Sequence, residues 1–292
     1  MLNYIRWNEA NIDTVINHTI KDIAEEGIEY CELRFSIAKY LNHLPWDEAT
    51  ACLFVLNRIK YWSSKYNVVI GPILSLQYET AKVNSKRVSK LIHHWKVAED
   101  VVGIDFVGAE SHFDKNFLRD CFRHWRLCDK GLLIHAGETQ SAENVKIAIE
   151  DLGVDRIAHG ITAATEESEY ILSMAKHNDV AFDVAINSNF YTGVIQVPQT
   201  AQGTAYHPVV KMIMKGCKVT LGTDDPATFN INLNDEYKAL ELLLHDHSKL
   251  TKFEIDNTIE EIKENSVEYA LMKIGEYKKW DHNLNVDDGL NV

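Results

Sequence analysis

The sequence lacks the cysteine patterns typical of zinc-binding and disulfide-stabilised proteins. Its five cysteines are scattered, and none belongs to a C-x-x-C pair: Cys31, Cys52, Cys121, Cys128 and Cys217. An odd and dispersed set argues against a disulfide framework and against a thiolate zinc site. This usage predicts reduced thiols in a cytoplasmic protein.

Long apolar runs and an excess of positive charge are also lacking. No segment approaches the roughly 20 apolar residues needed to span a bilayer. The N-terminus MLNYIRW has no basic leader before a long apolar stretch, so we expect no signal peptide. A formal net charge of −13 at pH 7 argues against nucleic acids and anionic membrane surfaces as partners. A small neutral ligand such as a nucleoside is compatible with that charge, and nothing indicates an oligomeric state.

Short β-rich segments alternate with amphipathic helical patterns along the chain. Strands are predicted at residues 28–35, 68–76, 101–108, 131–135, 156–159, 180–186 and 218–223. Several are almost continuously apolar, as in VVIGPILSL, which indicates strands covered on both faces. Repeated strand–helix pairs without a Pro/Gly-rich linker predict one α/β domain over residues 1–292, a (β/α)8 barrel of TIM type. An open doubly wound sheet is the alternative, although no G-x-G-x-x-G or Walker sequence opens any of the helices.

A barrel of this type has eight strands, and the sequence offers candidates for seven. Residues 1–27 are predicted to form a helical segment, since NIDTVINHTIKDIAEEG has a helical pattern. The first strand of the barrel therefore has no candidate. We expect the polar C-terminal segment 283–292 to be disordered.

Polar side chains collect where the predicted strands end. His135 closes GLLIH with Glu138 one short turn later, His159 closes RIAH, and Asp224 and Asp225 follow VTLGT. The C-terminal strand ends of α/β barrels meet at one mouth, which is where active sites are found. Imidazole and carboxylate groups bind zinc, zinc activates water, and a protonated carboxyl group nearby can donate a proton. In an extended strand Asp224 and Asp225 would point to opposite sides, so we predict different roles for them.

Each of these features also has an ordinary structural interpretation. A lone histidine at a strand end more often caps or packs than binds a ligand. Asp-Asp before Pro is usually a turn, and Gly137 and Gly160 are equally typical of loops. The functional interpretation is favoured because such residues recur at successive strand ends.

The ordered blocks HAGE (135–138), RIAHG (156–160) and TDDPATF (223–229) resemble the signature of the adenosine deaminase family. The resemblance extends in collinear order through EGIEYCELRFS (26–36), VVGIDFVGAE (101–110), SNFYTGV (188–194), HP (207–208) and EY (236–237). It implies a (β/α)8 barrel with one zinc ion that converts adenosine or deoxyadenosine into inosine or deoxyinosine and ammonia. The P-C-x-x-C signature of cytidine deaminases is absent.

The resemblance also implies roles for the residues at the strand ends. His135 and Asp224 would be zinc ligands, and Glu138 would be the acid that protonates the purine ring nitrogen next to the attacked carbon. His159 would orient and deprotonate the zinc-bound water. Asp225 would contact the attacking hydroxide and the purine.

Two further comparisons with the family pattern concern the substrate pocket. Gly108 would contact the purine ring through its backbone. The stretch DVAINSN (183–189) stands where the family commonly has Cys-Pro-Thr-Ser-Asn. Since Ser188 and Asn189 are retained, we expect this departure to be tolerated.

The His-x-His strand that opens this family, and that would supply two more zinc ligands, is not found before Ile28. The sequence has His-x-His only at residues 245–247, inside the helical pattern EYKALELLLHDH. Helical residues two apart project about 200° apart, so they cannot chelate one ion as strand neighbours do. We interpret this pair as a solvated helix end.

Three hypotheses follow. The first is an active purine-nucleoside deaminase whose first strand is missing from this sequence or supplied by another chain. The second is a catalytically impaired relative that binds a nucleoside or a protein partner. The third is a sibling deaminase acting on adenine, a methylated adenosine nucleotide or another aminopurine.

Overall fold

The computed structural model describes residues 7–81, 91, 94–127, 130–196 and 205–272. The chain divides into two compact units, the first comprising residues 1–106, 124–131 and 271–292 and the second residues 107–123 and 132–270. The single domain over residues 1–292 therefore stays a prediction. The tail at 283–292, for which disorder is predicted, lies outside the described residues.

Within the described residues the first unit begins with helix α1 (Glu9–Glu25), which lies inside the segment 1–27 predicted to be helical, and continues into strand β1 (Tyr30–Phe35). The following elements are α2 (Ala38–Leu41), α3 (Glu48–Tyr66), β2 (Val69–Gln77), α4 (Tyr78–Ala81), α5 (Trp95–Asp100) and β3 (Gly103–Val107), whose last residue opens the second unit. Strands β1 and β2 pair in parallel, from Tyr30 opposite Val69 to Phe35 opposite Leu74.

Helix α1 forms because its sequence supplies both a cap and an apolar face. The Asn8 side chain accepts a hydrogen bond from the Asn11 backbone N–H at 2.8 Å. Ile12, Ile16 and Ile20 recur every fourth residue and are buried, as expected of an amphipathic helix.

A partly buried polar contact joins α1 to α3. Asp13 of α1 accepts hydrogen bonds from Arg58 Nε at 2.5 Å and Trp62 Nε1 at 2.7 Å. The two helices are therefore fixed in register by a carboxylate as well as by apolar packing.

The second unit contains most of α6 (Lys115–Arg126) and four strands: β4 (Gly131–Ala136), β5 (Arg156–His159), β6 (Ala181–Val184) and β7 (Val219–Leu221). Its helices are α7 (Ala142–Ile147), α8 (Tyr170–His177), α9 (Ile186–Tyr191), α10 (Val209–Met214), α11 (Pro226–Phe229), α12 (Leu233–His247) and α13 (Lys252–Glu268). Strands β4 to β7 pair in parallel in chain order. Their C-terminal ends consequently lie at one edge of this sheet.

One carboxylate links three strands of the second unit. Asp183 on β6 accepts a hydrogen bond from Thr220 Oγ1 on β7 at 2.7 Å and forms an ion pair with Arg156 Nε on β5 at 3.3 Å. All three side chains are largely shielded, so the ion pair and the hydrogen bond offset part of the cost of burying these polar groups.

All seven predicted strands are found, although β3, β6 and β7 are each three residues shorter than predicted, and the last of them bears on the site. The prediction extended it over residues 218–223, whereas β7 spans Val219–Leu221. The Gly222 N–H still bonds to the Val184 carbonyl at 3.0 Å, and the chain then turns. The described strands do not include a His-x-His strand.

The helices that follow β4 and β5 have two local features. Helix α7 is α-helical to Ile147, and the chain then widens into a π-helical turn, Ala148–Leu152, which ends at Gly153 in the left-handed conformation. Helix α8 begins at Tyr170, directly after Glu169. His245 and His247 lie in the last turn of α12, with the side chain of His245 76% exposed, as the solvated helix end requires.

The described cysteines are free thiols: Cys31, Cys52, Cys121 and Cys217. Burial raises the pKa of the Cys217 thiol to about 11, which favours the unreactive protonated form. Cys128 lies outside the described residues. None of the described helices is long and apolar enough to span a membrane.

Candidate active site

Tight turns follow the strand ends of the second unit, and two predicted site residues adopt left-handed backbone conformations there. His159 has φ +66° and Asp224 has φ +56°. For residues other than glycine this conformation is uncommon, and it is concentrated at functional sites. Gly160 follows with φ +65°, and a Cβ there would lie 2.4 Å from the Phe182 ring, so glycine is required.

The structure brings His135, Glu138 and His159 together. In the β4–β5 register His135 lies opposite Ala158, one position before His159. The two imidazole rings are 5.3 Å apart between centroids, and their planes are inclined by 65°. Glu138 Oε2 lies 3.7 Å from His159 Nε2. Two strand ends thus present two imidazoles and one carboxyl group to the same small region.

Glu138 is in an environment that favours its protonated form. Burial raises the pKa of its carboxyl group above the usual 4.5, the positive charge available at His135 opposes that shift, and the carboxylates of Asp224 and Glu110 reinforce it. A carboxylic acid that retains its proton nearer neutral pH is suited to proton donation. The acid role that the sequence predicts for Glu138 is therefore chemically reasonable here.

Asp224 and Asp225 lie in a turn rather than in an extended strand, so the alternation on which their different roles were predicted does not apply. They nevertheless have different environments. Asp224 Oδ2 accepts a hydrogen bond from Ser188 Oγ at 2.6 Å. Asp225 precedes α11, and its carbonyl accepts the N–H groups of Thr228 and Phe229 at 3.0 and 3.2 Å. Both residues are exposed.

Glu110 is a buried carboxylate to which the sequence assigned no role. Its Oε1 accepts the Gly137 N–H at 2.6 Å and Asn144 Nδ2 at 2.9 Å. Its Oε2 accepts the N–H groups of Thr139 and Gln140, each at 3.1 Å. The residues on both sides of Glu138 are therefore held by one carboxylate. In the sequence, Glu110 is the last residue of the block VVGIDFVGAE, so the family resemblance already included it.

Gly108, the predicted ring contact, lies two residues before Glu110 and has φ +100°. This backbone conformation favours glycine. It places the predicted substrate-binding position immediately beside the residue that holds the Glu138 turn. The contact with a purine ring stays a prediction.

Substitution of Glu110 by Gln is expected to destabilise the protein by about 1–3 kcal/mol. Either orientation of the amide would direct its NH2 group at N–H donors, leaving them without an acceptor. Removal of the negative charge should also lower the pKa of Glu138, because Glu110 helps to raise it. Urea unfolding at pH 7 measures the first effect. Glu166→Gln, an exposed site, is the control, and equal stability of the two variants would contradict this assignment.

Glu236 is a second buried carboxylate without a predicted role, although it belongs to the EY block. It lies in α12 and accepts the backbone N–H groups of Ile186 at 2.7 Å and Asn187 at 3.2 Å. Burial raises its pKa to about 7, with the hydrogen bonds opposing the shift. It anchors the segment that carries Ser188 and Asn189.

The raised pKa of Glu236 predicts a stability loss as the pH rises. Between pH 4.5 and about 7, Glu236 is protonated in the folded state and ionised in the unfolded state. The stability that depends on this proton is therefore fully present below pH 4.5 and is lost as the pH rises through about 7. Relative to Glu236→Gln, the wild type should lose about 2–3 kcal/mol of unfolding free energy between pH 5 and pH 8. Urea titrations at both values measure it. Exposed Glu261→Gln should show no such trend, and a flat difference for Glu236→Gln would refute the prediction.

Asn189 and His207 are fully buried beside His159. Asn189 Nδ2 lies 3.1 Å from His159 Nδ1, and Asn189 Oδ1 lies 3.2 Å from His207 Nε2. Burial, reinforced by the nearby His159, lowers the pKa of His207 to about 3, so His207 is neutral. Both residues lie in blocks of the family resemblance, SNFYTGV and HP, but their connection to His159 depends on the fold.

The donor chemistry of the site fits part of a zinc centre. His135 and Asp224 supply an imidazole and a carboxylate, both of which bind zinc. Within the described ranges, no group of three or more His, Cys, Asp or Glu side chains is placed to hold a metal ion. Catalytic zinc sites usually have three protein ligands, so these two residues alone fall short of a complete set.

Comparison with known proteins identifies the chain's relatives. The family model described as "Adenosine deaminase" matches residues 3–279. The chain is 32% identical over 236 residues to the adenosine deaminase of Clostridium acetobutylicum, covering 80% of this chain and 66% of that protein. It is 29% identical over 238 residues to the adenosine deaminase of Clostridium kluyveri, covering 81% of this chain and 65% of that protein. The chain thus spans about two thirds of the length of these relatives.

Solved structures of low sequence identity share the fold. An adenine deaminase from Arthrobacter aurescens superposes with a TM-score of 0.77 at 18% identity, covering 94% of this chain and 78% of that one. A zinc-bound amidohydrolase from Burkholderia ambifaria gives 0.76 at 18% identity, covering 95% and 72%. An N6-mAMP deaminase from Arabidopsis gives 0.71 at 18% identity, covering 94% and 77%. The predicted fold class, the (β/α)8 type, is confirmed, and by the match to its family model the chain belongs to the adenosine deaminase family.

Proposed function

We propose that the protein is a purine-nucleoside deaminase that converts adenosine or deoxyadenosine into inosine or deoxyinosine and ammonia. The observation that carries the proposal is the position of Glu138, a carboxyl group with a raised pKa, 3.7 Å from His159 and on the same turn system as His135. In this arrangement Glu138 would act as a proton donor and His159 as an orienting imidazole at one edge of a parallel sheet.

In the proposed reaction, water adds to the purine carbon that carries the amino group. Glu138 donates its proton to the adjacent ring nitrogen, which offsets the negative charge that the ring would otherwise acquire. The carbon–nitrogen bond to the amino group then breaks; one hydrogen of the water completes the leaving ammonia, and the other restores the proton of Glu138. Gly108 and Asp225 are proposed to contact the purine, and Asp225 and His159 to orient the attacking oxygen.

His135 and Asp224 are the residues that would hold zinc, together with ligands beyond these two. When bound, zinc lowers the pKa of a water molecule and so makes it nucleophilic near neutral pH. The zinc-bound amidohydrolase of similar fold supports this proposal. Ser188 would restrict the carboxylate of Asp224, since it donates a 2.6 Å hydrogen bond to it.

A sibling substrate is the second candidate. Structures similar in fold include an adenine deaminase and an N6-mAMP deaminase, both named for an adenine-derived substrate. The chemistry at Glu138 and His159 would be shared, and the substituent on the purine would be distinguished elsewhere in the pocket. The net charge of −13 disfavours a nucleotide relative to an uncharged nucleoside.

The test is turnover by the full-length purified protein supplied with zinc. Ammonia release would be followed for adenosine, deoxyadenosine, adenine and N6-methyl-AMP, with zinc per protomer measured in the same sample. Preference for adenosine or deoxyadenosine is expected. Faster turnover of either other substrate would replace the nucleoside assignment with the sibling one. Full zinc occupancy without ammonia from any of the four would overturn the deaminase proposal and favour a binding role.

A further inference from the structure

A buried chain of hydrogen bonds runs from a backbone amide to His159. The Val209 N–H donates to His207 Nδ1 at 3.1 Å. His207 Nε2 faces Asn189 Oδ1 at 3.2 Å, and Asn189 Nδ2 faces His159 Nδ1 at 3.1 Å. His159, Asn189 and His207 are each at most 3% exposed, so the groups in this chain are shielded from competing water.

The direction of every bond in this chain is fixed by its first member. A backbone N–H can only donate, so His207 Nδ1 must accept, and neutral His207 must carry its proton on Nε2. That proton makes the Asn189 carbonyl oxygen an acceptor, which leaves the Asn189 amide nitrogen to donate to His159. His159 Nδ1 must then accept. Reversal of any one bond would leave two donors or two acceptors facing each other in a buried site.

We infer that Asn189 and His207 are positioning residues that hold neutral His159 as the tautomer with its proton on Nε2. That nitrogen faces Glu138 Oε2 at 3.7 Å, so His159 presents a hydrogen-bond donor to the site. A ring whose Nδ1 accepts from Asn189 and whose Nε2 is already protonated has no vacant lone pair with which to remove a proton. His159 therefore orients an oxygen by donation, in contrast to the deprotonating role that the family resemblance implies.

This inference concerns a tautomer and is independent of the proposed function, so it can be tested without turnover. In the full-length protein with 15N-labelled histidine, two-bond 1H–15N correlations distinguish protonated from unprotonated ring nitrogens. His159→Gln and His207→Gln identify the two sets of signals by their loss. We expect protonated Nε2 and unprotonated Nδ1 at both residues. For His159, the tautomer protonated on Nε2 should exceed the one protonated on Nδ1 by about tenfold or more, because a buried hydrogen bond depends on it; this quotient is the tautomer ratio. Exposed His177 serves as the reference without such a constraint.

Two variants separate positioning from simple packing. Asn189→Asp replaces the donor to His159 by an acceptor and should move the His159 proton to Nδ1. His207→Leu removes the donor that orients Asn189 and should reduce the tautomer ratio at least tenfold, whereas His207→Gln retains an amide donor and should restore much of it. Wild-type His159 with its proton on Nδ1 would overturn the inference, even if the variants fail to fold. An unchanged ratio in folded His207→Leu would overturn the part assigned to His207.

Discussion

Replacement of Glu138 by Gln is expected to lower purine deamination by about 10²–10⁴-fold, the range over which a positioned proton donor accelerates a reaction. The amide has nearly the same size as the carboxyl group but cannot give up a proton. If Glu138 is the acid, the substrate ring nitrogen must then acquire its proton from solvent. Because burial raises the pKa of the wild-type carboxyl group, the neutral amide resembles its protonated form.

The same substitution should leave folding intact, and this separates a chemical role from a structural one. Burial raises the pKa of Glu138, so the wild-type protein loses stability as the pH rises and this carboxyl group ionises. The Gln variant has no such group and does not show this loss. Thermal unfolding of Glu138→Gln should therefore occur at an equal or higher temperature than that of the wild type at pH 8. Glu150→Gln, at an exposed position, is the control for turnover. Activity of Glu138→Gln within tenfold of the wild type, at equal zinc content, would refute the acid role.

The strands and the strand-end residues could be predicted because their signals are local. Apolar segments such as Ile70 to Leu74 are buried on both faces in β2, as their composition indicated. His159 and Asp224 were recognised because each follows such a segment. In α/β barrels the C-terminal ends of the parallel strands lie at one face as a general rule. Motifs that are separate in sequence could therefore be assigned to one predicted site.

The supporting residues could not be assigned in this way, because their roles depend on distances in the fold. Glu110 precedes the Glu138 turn by more than 20 residues, yet its carboxylate accepts N–H groups from that turn. Glu236 is about 50 residues from the Ile186 N–H that it accepts. Both are acidic residues near helix starts, which from sequence alone are typical of solvated helix ends.

The turn at Asp224 could not be predicted from the sequence for a different reason. The prediction treated residues 218–223 as an extended strand, from which opposite orientations of Asp224 and Asp225 would follow. The positive φ of Asp224 breaks that alternation. Aspartate adopts the left-handed conformation more readily than most residues, but this preference is too weak to mark one position in a sequence. The distinction between the two carboxylates consequently has to be tested directly.

Asp224→Asn and Asp225→Asn form a matched pair, since they are adjacent, exposed and lose the same charge. If Asp224 is a zinc ligand, Asn should weaken zinc binding by about 100-fold or more, because a neutral amide oxygen replaces one of a few charged donors. Ser188 would lose its 2.6 Å carboxylate acceptor in the same variant. Asp225→Asn should retain zinc while turnover falls, since its proposed contacts are with the attacking oxygen and the purine.

Zinc affinity of both variants would be measured by competition with a chelating dye, in the full-length protein and independently of turnover. His245→Asn, in the exposed last turn of α12, is the control for non-specific loss of a histidine donor and should retain wild-type affinity. The decisive comparison is the ratio of the zinc affinities of the two aspartate variants. Equal zinc affinity for Asp224→Asn and Asp225→Asn would contradict the separate roles, and a loss confined to Asp225→Asn would exchange them. A loss confined to Asp224→Asn, with Asp225→Asn inactive but fully loaded, is expected, because only the Asp224 carboxylate is held by Ser188 at the end of β7.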